Sequence, residues 1–192
     1  TGEGAAALPR EVILKVARPD LVALPLYANE VGFYTRLRPE LGSGVETPRC
    51  VGGIYDPATG TFGLGLEDLG VRGAIFSNVK TPHSLADVQS LLASAARLHA
   101  LYWESPRFSA DLGWVQTHMQ GELHVLFDQP DLVPALIRQQ VADVQFKREL
   151  VESIGQTPDA LHAQVRRVQQ HQAQSPRTLL HGDLHAGNTY RL

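Results

Sequence analysis

The sequence predicts an α+β protein in two parts, a small β-rich lobe with one helix over residues 1–70 and a mostly helical lobe over residues 71–192. Three observations predict it. Before Gly70, short apolar segments alternate with a period of two, as strands do. After Gly70, apolar residues recur at helical spacing. Near the end, His181-Gly182-Asp183-Leu184-His185-Ala186-Gly187-Asn188 sets an acid, two histidines and a carboxamide in one compact loop, between β-prone runs at 178–180 and 189–192.

The first strand is predicted over 11–17, where Val12, Leu14 and Val16 take one face and Ile13, Lys15 and Ala17 the other. Lys15 is thereby held in mid-strand among apolar residues. One reading is an edge-strand lysine that keeps its amine in water and discourages aggregation. After Pro25 the chain turns helical, with Tyr27, Val31, Tyr34 and Leu37 on one stripe and Glu30 beside it. A strand lysine followed by a helix glutamate is the ion pair that orients an amine toward nucleotide phosphates, which is the second reading of Lys15. A solvated helix glutamate is the alternative for Glu30.

Two further strands are predicted over 49–55 and 61–66, joined by Asp56-Pro57-Ala58-Thr59-Gly60, which has the composition of a hairpin loop. Phe62, Leu64 and Leu66 form an apolar face, while Gly63 and Gly65 leave the other nearly bare, open to a flat ligand or another element. Leu66-Glu67-Asp68-Leu69-Gly70 then closes the lobe as an acidic turn.

Ser84-Leu85-Ala86-Asp87 starts the next helix in the manner of a capping box. Leu85, Val88, Leu92, Ala95, His99 and Tyr102 form its expected core stripe, with His99 a hydrogen-bonded core histidine. Helical patterns follow over 130–154 and 158–172, the latter capped by Thr157, opened by Pro158, and buried along Leu161, Val165 and Val168. No internal repeat is present.

Composition excludes several classes of function. A chain of 192 residues, 43% hydrophobic, supports a real core. A net charge of −3 with dispersed Arg and Lys offers no extended surface to nucleic acid. No apolar run suggests a membrane span and no leader is evident, so the expected location is cytoplasmic, without membrane partners. Cys50, the single cysteine, reads as a buried structural thiol.

The chemistry concentrates in the 181–188 loop. An acid five residues ahead of an amide suits phosphoryl transfer, with Asp183 accepting the proton of an attacking hydroxyl and the Asn188 oxygen helping to hold Mg²⁺. A simple turn, in which both side chains cap their own backbone, is the structural alternative. His181, Asp183 and His185 could instead ligate one metal in a hydrolase, a reading that calls for a second ligand cluster, approached only by the 118–124 stretch with His118, Glu122 and His124.

His-Gly-Asp-Leu-His-x-Gly-Asn resembles the catalytic signature of aminoglycoside phosphotransferases, choline kinases and their relatives, small-molecule kinases on the two-lobed protein-kinase-like fold. Glu30-Val31-Gly32-Phe33-Tyr34 and Leu98-His99-Ala100-Leu101-Tyr102-Trp103 resemble further helices of the same family. The resemblance implies that Lys15 contacts the nucleotide's α and β phosphates, that Glu30 holds it, and that 66–70 is the hinge whose backbone, the Glu67 carbonyl and the Leu69 amide, binds adenine. It also implies ATP or GTP as donor, Mg²⁺ as cofactor, Asn188 as metal ligand, Asp183 as catalytic base, and a small hydroxylated molecule as acceptor. A ligand-binding relative without catalysis is the alternative from another class.

Two family features are missing: a glycine-rich loop over the phosphates, since Gly2-Glu3-Gly4 lies too near Lys15, and a second metal-binding aspartate after Asn188. The expectation is therefore a fold truncated at both ends, lacking its first strands and its C-terminal helices. Apolar surface left uncovered in this way would favour a homodimer or aggregation.

Overall fold

The structure is a computed structural model that describes residues 8–16, 26–78, 80–117, 119–121, 124, 128–129 and 131–192. The expectations at Gly2-Glu3-Gly4, Ala17, Pro25, His118 and Glu122 lie outside these residues. The mixed α+β class is as expected. The chain divides into two compact units, one formed by Thr1–Leu112 with Arg177–Leu192 and one by Gly113–Pro176.

In the first unit, β1 (Val12–Val16), β2 (Cys50–Asp56) and β3 (Thr61–Glu67) form an antiparallel sheet in the order β1-β3-β2. The register pairs Lys15 with Leu64 and Val12 with Glu67. A bulge near Gly52 shifts the β2–β3 register. The helix before the sheet's hairpin runs as α1 (Leu26–Gly32), passes through a π-helical turn (Phe33–Leu37) and ends as α2 (Arg38–Leu41), where Gly42 leaves the helix at φ +56°. Val31, Phe62 and the fully buried Leu64 form the core between helix and sheet, with Tyr27, Tyr34, Cys50, Tyr55 and Leu66 packed around them. The Tyr27 ring stacks on Phe62 at 4.1 Å. Cys50 is only partly buried, at the margin of this core rather than inside it.

The bare glycine face of β3 is occupied by neighbouring strands. A Cβ at Gly65 would lie 2.7 Å from Val51 Cγ2, and one at Gly63 would lie 3.4 Å from Ile54 Cγ2. The glycines thus admit cross-strand side chains, the second of the two uses expected for them.

α3 (Leu85–Tyr102) opens with both halves of the capping box formed between Ser84 and Asp87. The second half of the expected stripe, Ala95, His99 and Tyr102, is covered, together with Leu98. Its first half is not: Leu85, Val88 and Leu92 are 74%, 43% and 60% exposed. There the inward face turns toward Asp87 and Leu91, because partners elsewhere in the chain, and not periodicity alone, decide which side is covered. At His99 it is the backbone carbonyl that is bonded, accepting from Thr178 Oγ1 at 2.6 Å.

The second unit carries α4 (Leu132–Asp143), α5 (Gln145–Ser153) and α6 (Pro158–Gln172). The helical pattern expected over 130–154 is carried by two helices, separated where Val144 adopts extended backbone at ψ 108°. On α6, Val165 and Val168 are exposed, and Arg166 pairs with Asp128 instead. Among the described residues no helix is long and apolar enough to cross a membrane.

Candidate active site

The first unit brings a strand lysine to a helix carboxylate. Lys15 Nζ donates to Glu30 Oε1 at 2.7 Å and to Oε2 at 2.8 Å. The pair forms because Lys15 shares its face of the sheet with Leu64, against which α1 packs through Val31, one residue beyond Glu30. The amine also stands 6.0 Å from the centre of the Phe62 ring. Both partners keep access to solvent, with side chains 49% and 30% exposed, so a ligand's charge can reach them.

Residues 66–70 end β3 and enter the 3-10 turn Leu69–Arg72. Glu67 N–H donates to the Arg49 carbonyl at 2.9 Å. The reciprocal bond of such an antiparallel pair would run from Arg49 N–H to the Glu67 carbonyl. Arg49 N–H goes instead to Glu67 Oε1, at 2.9 Å. The Glu67 carboxylate thus takes the place of its own carbonyl opposite Arg49 N–H. Asp68 caps the 3-10 turn Leu69–Arg72 by accepting from Gly70 N–H. The Glu67 carbonyl and the Leu69 amide are the two backbone groups the resemblance assigns to the nucleotide base.

The 181–188 loop is entered from a segment tied to the end of α3. Glu104, at φ +48°, donates its N–H to the Arg177 carbonyl at 2.7 Å and accepts the Arg177 N–H on its carboxylate. Residues 178–180 form no ladder, contrary to the expected strand. After the loop, β5 (Tyr190–Arg191) pairs with β4 (Ile75–Phe76), a strand the sequence did not reveal. Two residues from each side are too few for a periodic signal, so this anchoring was invisible locally.

Within the loop, Gly182 takes φ +85°, a conformation that favours glycine. Asn188 Nδ2 donates at 2.9 Å both to the Asp183 carbonyl and to Asp183 Oδ2. The Asp183 side chain is 77% exposed, and its Oδ1 and the Asn188 Oδ1 have no partner among the described residues. The Asn188 oxygen is of the kind that suits Mg²⁺, which takes one or two protein oxygens and completes its shell with water and phosphate.

Both histidines serve the loop. His181 Nδ1 accepts the Asp183 N–H at 3.3 Å, and His185 Nδ1 accepts the Gly187 N–H at 3.0 Å. A neutral imidazole that accepts at Nδ1 carries its proton on Nε2, which leaves neither nitrogen of either ring free to ligate a metal. Among the described residues no three His, Cys, Asp or Glu side chains group as a metal site. The three-ligand hydrolase reading therefore finds no support in the geometry.

A network outside the expected site joins its parts. Arg72 Nη1 donates to Glu67 Oε1 at 3.2 Å and to Glu46 Oε1 at 2.9 Å, and Tyr190 Oη donates to Glu46 Oε1 at 3.3 Å. Burial, followed by the charge of Glu46, pushes the Tyr190 hydroxyl well above the ordinary tyrosine range. Burial also raises Tyr34, to about 12. Nothing in the sequence flags Glu46, Arg72 and Tyr190 together, since their contacts span large separations along the chain.

A lysine–glutamate pair and an acid–carboxamide loop lie in one unit. The model of the phosphotransferase enzyme family matches residues 4–190, and the chain belongs to that family. No curated protein and no solved structure matches the chain.

Proposed function

We propose that the protein is a small-molecule kinase, transferring the γ-phosphate of ATP or GTP to a hydroxyl of a small acceptor. The observation that carries this reading is the Asp183–Asn188 contact, which turns one carboxylate oxygen toward the carboxamide and leaves the other for a substrate. In the reaction Asp183 accepts the proton of the acceptor hydroxyl. The hydroxyl oxygen bonds to the γ-phosphorus, the bond to the bridging oxygen breaks, and the nucleoside diphosphate leaves.

Lys15, held by Glu30, positions the α and β phosphates, and the Glu67 carbonyl and Leu69 amide receive the base. Asn188 would hold Mg²⁺, which when bound supplies neutralisation of phosphate charge. His181 and His185 keep the loop in shape through their backbone bonds.

The test is nucleotide consumption with hydroxylated acceptors, with and without Mg²⁺, on wild type and D183A. Turnover that needs Mg²⁺ and falls by about 10²–10⁴-fold in D183A, with nucleotide binding retained, is the expected result. Nucleotide binding with no transfer to any acceptor would instead indicate a binding relative without catalysis, and unimpaired D183A turnover would remove Asp183 from its role.

A further inference from the structure

The network around Glu46 has no part in the reaction just described, yet it links both ends of the proposed site. On one side Glu46 Oε1 accepts from Tyr190, which lies two residues after Asn188 on the strand leaving the loop. On the other it accepts from Arg72, whose same Nη1 reaches Glu67 Oε1, the oxygen that holds Arg49 N–H away from the Glu67 carbonyl. The chain of contacts therefore runs from the loop to the edge of the sheet without a gap.

Stability alone does not account for this arrangement. The Glu46 and Arg72 side chains are 45% and 41% exposed, and surface pairs of this kind contribute little to stability. Glu67 is different, with its side chain only 10% exposed, so its charge depends on Arg72 for compensation. Arg72 meets that need, and Glu46, bonded to the same Nη1, holds Arg72 in place. The second carboxylate, from Glu46, adds a connection to Tyr190.

We infer that Glu46 is a positioning residue that fixes the Asp183–Asn188 loop relative to the nucleotide-binding edge, through Tyr190 on one side and the Arg72–Glu67 pair on the other. The inference rests on the kinase reading and extends it. Cutting the Tyr190 contact frees the loop alone, cutting Arg72 disturbs the hinge alone, and removing Glu46 does both.

Steady-state kinetics and nucleotide binding on Y190F, R72A, E46A and E46Q test it, with melting temperatures as the control for folding. Y190F should lower kcat by about fivefold with KM for nucleotide nearly unchanged, and R72A should raise that KM by about fivefold with kcat nearly unchanged, the scale of couplings between contacting groups. E46A should show both effects, and E46Q, which keeps an acceptor for Tyr190 but not the charge for Arg72, should restore kcat and not KM. Adding Y190F to E46A should lower kcat no further. Where transfer is too slow to follow, the gain in nucleotide affinity on adding Mg²⁺ is the substitute, and Y190F should diminish it.

Variants that change melting temperature while kcat, KM and the Mg²⁺ effect stay at wild-type values would overturn the inference and leave the kinase reading standing. A wild type that binds no nucleotide would overturn both.

Discussion

Lys15 on β1 and Glu30 on α1 meet as a two-oxygen ion pair, at 2.7 and 2.8 Å, fifteen residues apart along the chain. The pair is half exposed, so its contribution to folding is under about 1 kcal/mol. Its consequence for a bound phosphate is larger. K15A is expected to weaken nucleotide binding by about 10- to 100-fold, the loss of one charge-assisted contact, while the melting temperature moves little. E30Q should weaken binding less, since the amine remains but loses its orientation. Titration with nucleotide and thermal melts on the same samples check both. A large stability loss with unaltered binding would make the pair purely structural.

The Asp183–Asn188 contact predicts a kinetic effect. In N188D a second carboxylate replaces the donor 2.9 Å from Asp183 Oδ2. The amide hydrogen bond that orients Asp183 is lost and a like charge faces it, so kcat should fall by about tenfold or more. Steady-state kinetics on N188D check this, and a wild-type kcat would contradict the contact.

Asp87 closes the capping box of α3 and also accepts from Arg191 Nη1 at 3.0 Å. The bonds from Ser84, then that from Arg191, pull its carboxyl down from the usual 3.8 to about 2. Because the folded value lies below the unfolded one, the stabilisation is complete above the unfolded pKa and is lost as pH falls through the folded value. The difference in melting temperature between wild type and D87N should therefore be full at neutral pH and shrink as pH falls from about 4 to about 2. A difference that is independent of pH would place the effect elsewhere.

Leu64 is 0% exposed, and L64A is expected to cost about 2–5 kcal/mol in denaturant unfolding. Gly53 lies over it. A Cβ at residue 53 would sit 3.0 Å from Leu64 Cδ1, 3.1 Å from Thr35 Cγ2 and 3.3 Å from Val31 Cγ1. G53A should therefore cost about 1–3 kcal/mol by overpacking, and measurably less when combined with L64A, which removes the nearest atom. Strict additivity of the two substitutions would show that this contact is not the source of the cost.

The alternation along β1 and β3, the helix carrying Glu30 and the Asp183–Asn188 spacing were all legible in the chain itself, because strand period, helix period and turn chemistry are properties of neighbouring residues. The Ser84–Asp87 capping box was legible for the same reason. The covered faces of α6 and of the first half of α3 were not. A periodic stripe says that a helix has two unlike sides, but which side is covered depends on partners distant in sequence. Leu85 and Val165 were therefore expected inside and lie at the surface.

By itself, then, the sequence determined the α+β class, the loop that carries the acid and the amide, and the strand and helix that carry Lys15 and Glu30. Only the tertiary structure decided that β5 pairs with β4, that Glu67 meets Arg49 N–H with its side chain, and that Glu46 gathers Arg72 and Tyr190. The physical reason is range. Local backbone preferences are written residue by residue, whereas a shared carboxylate between groups up to 144 positions apart exists only once the chain has folded.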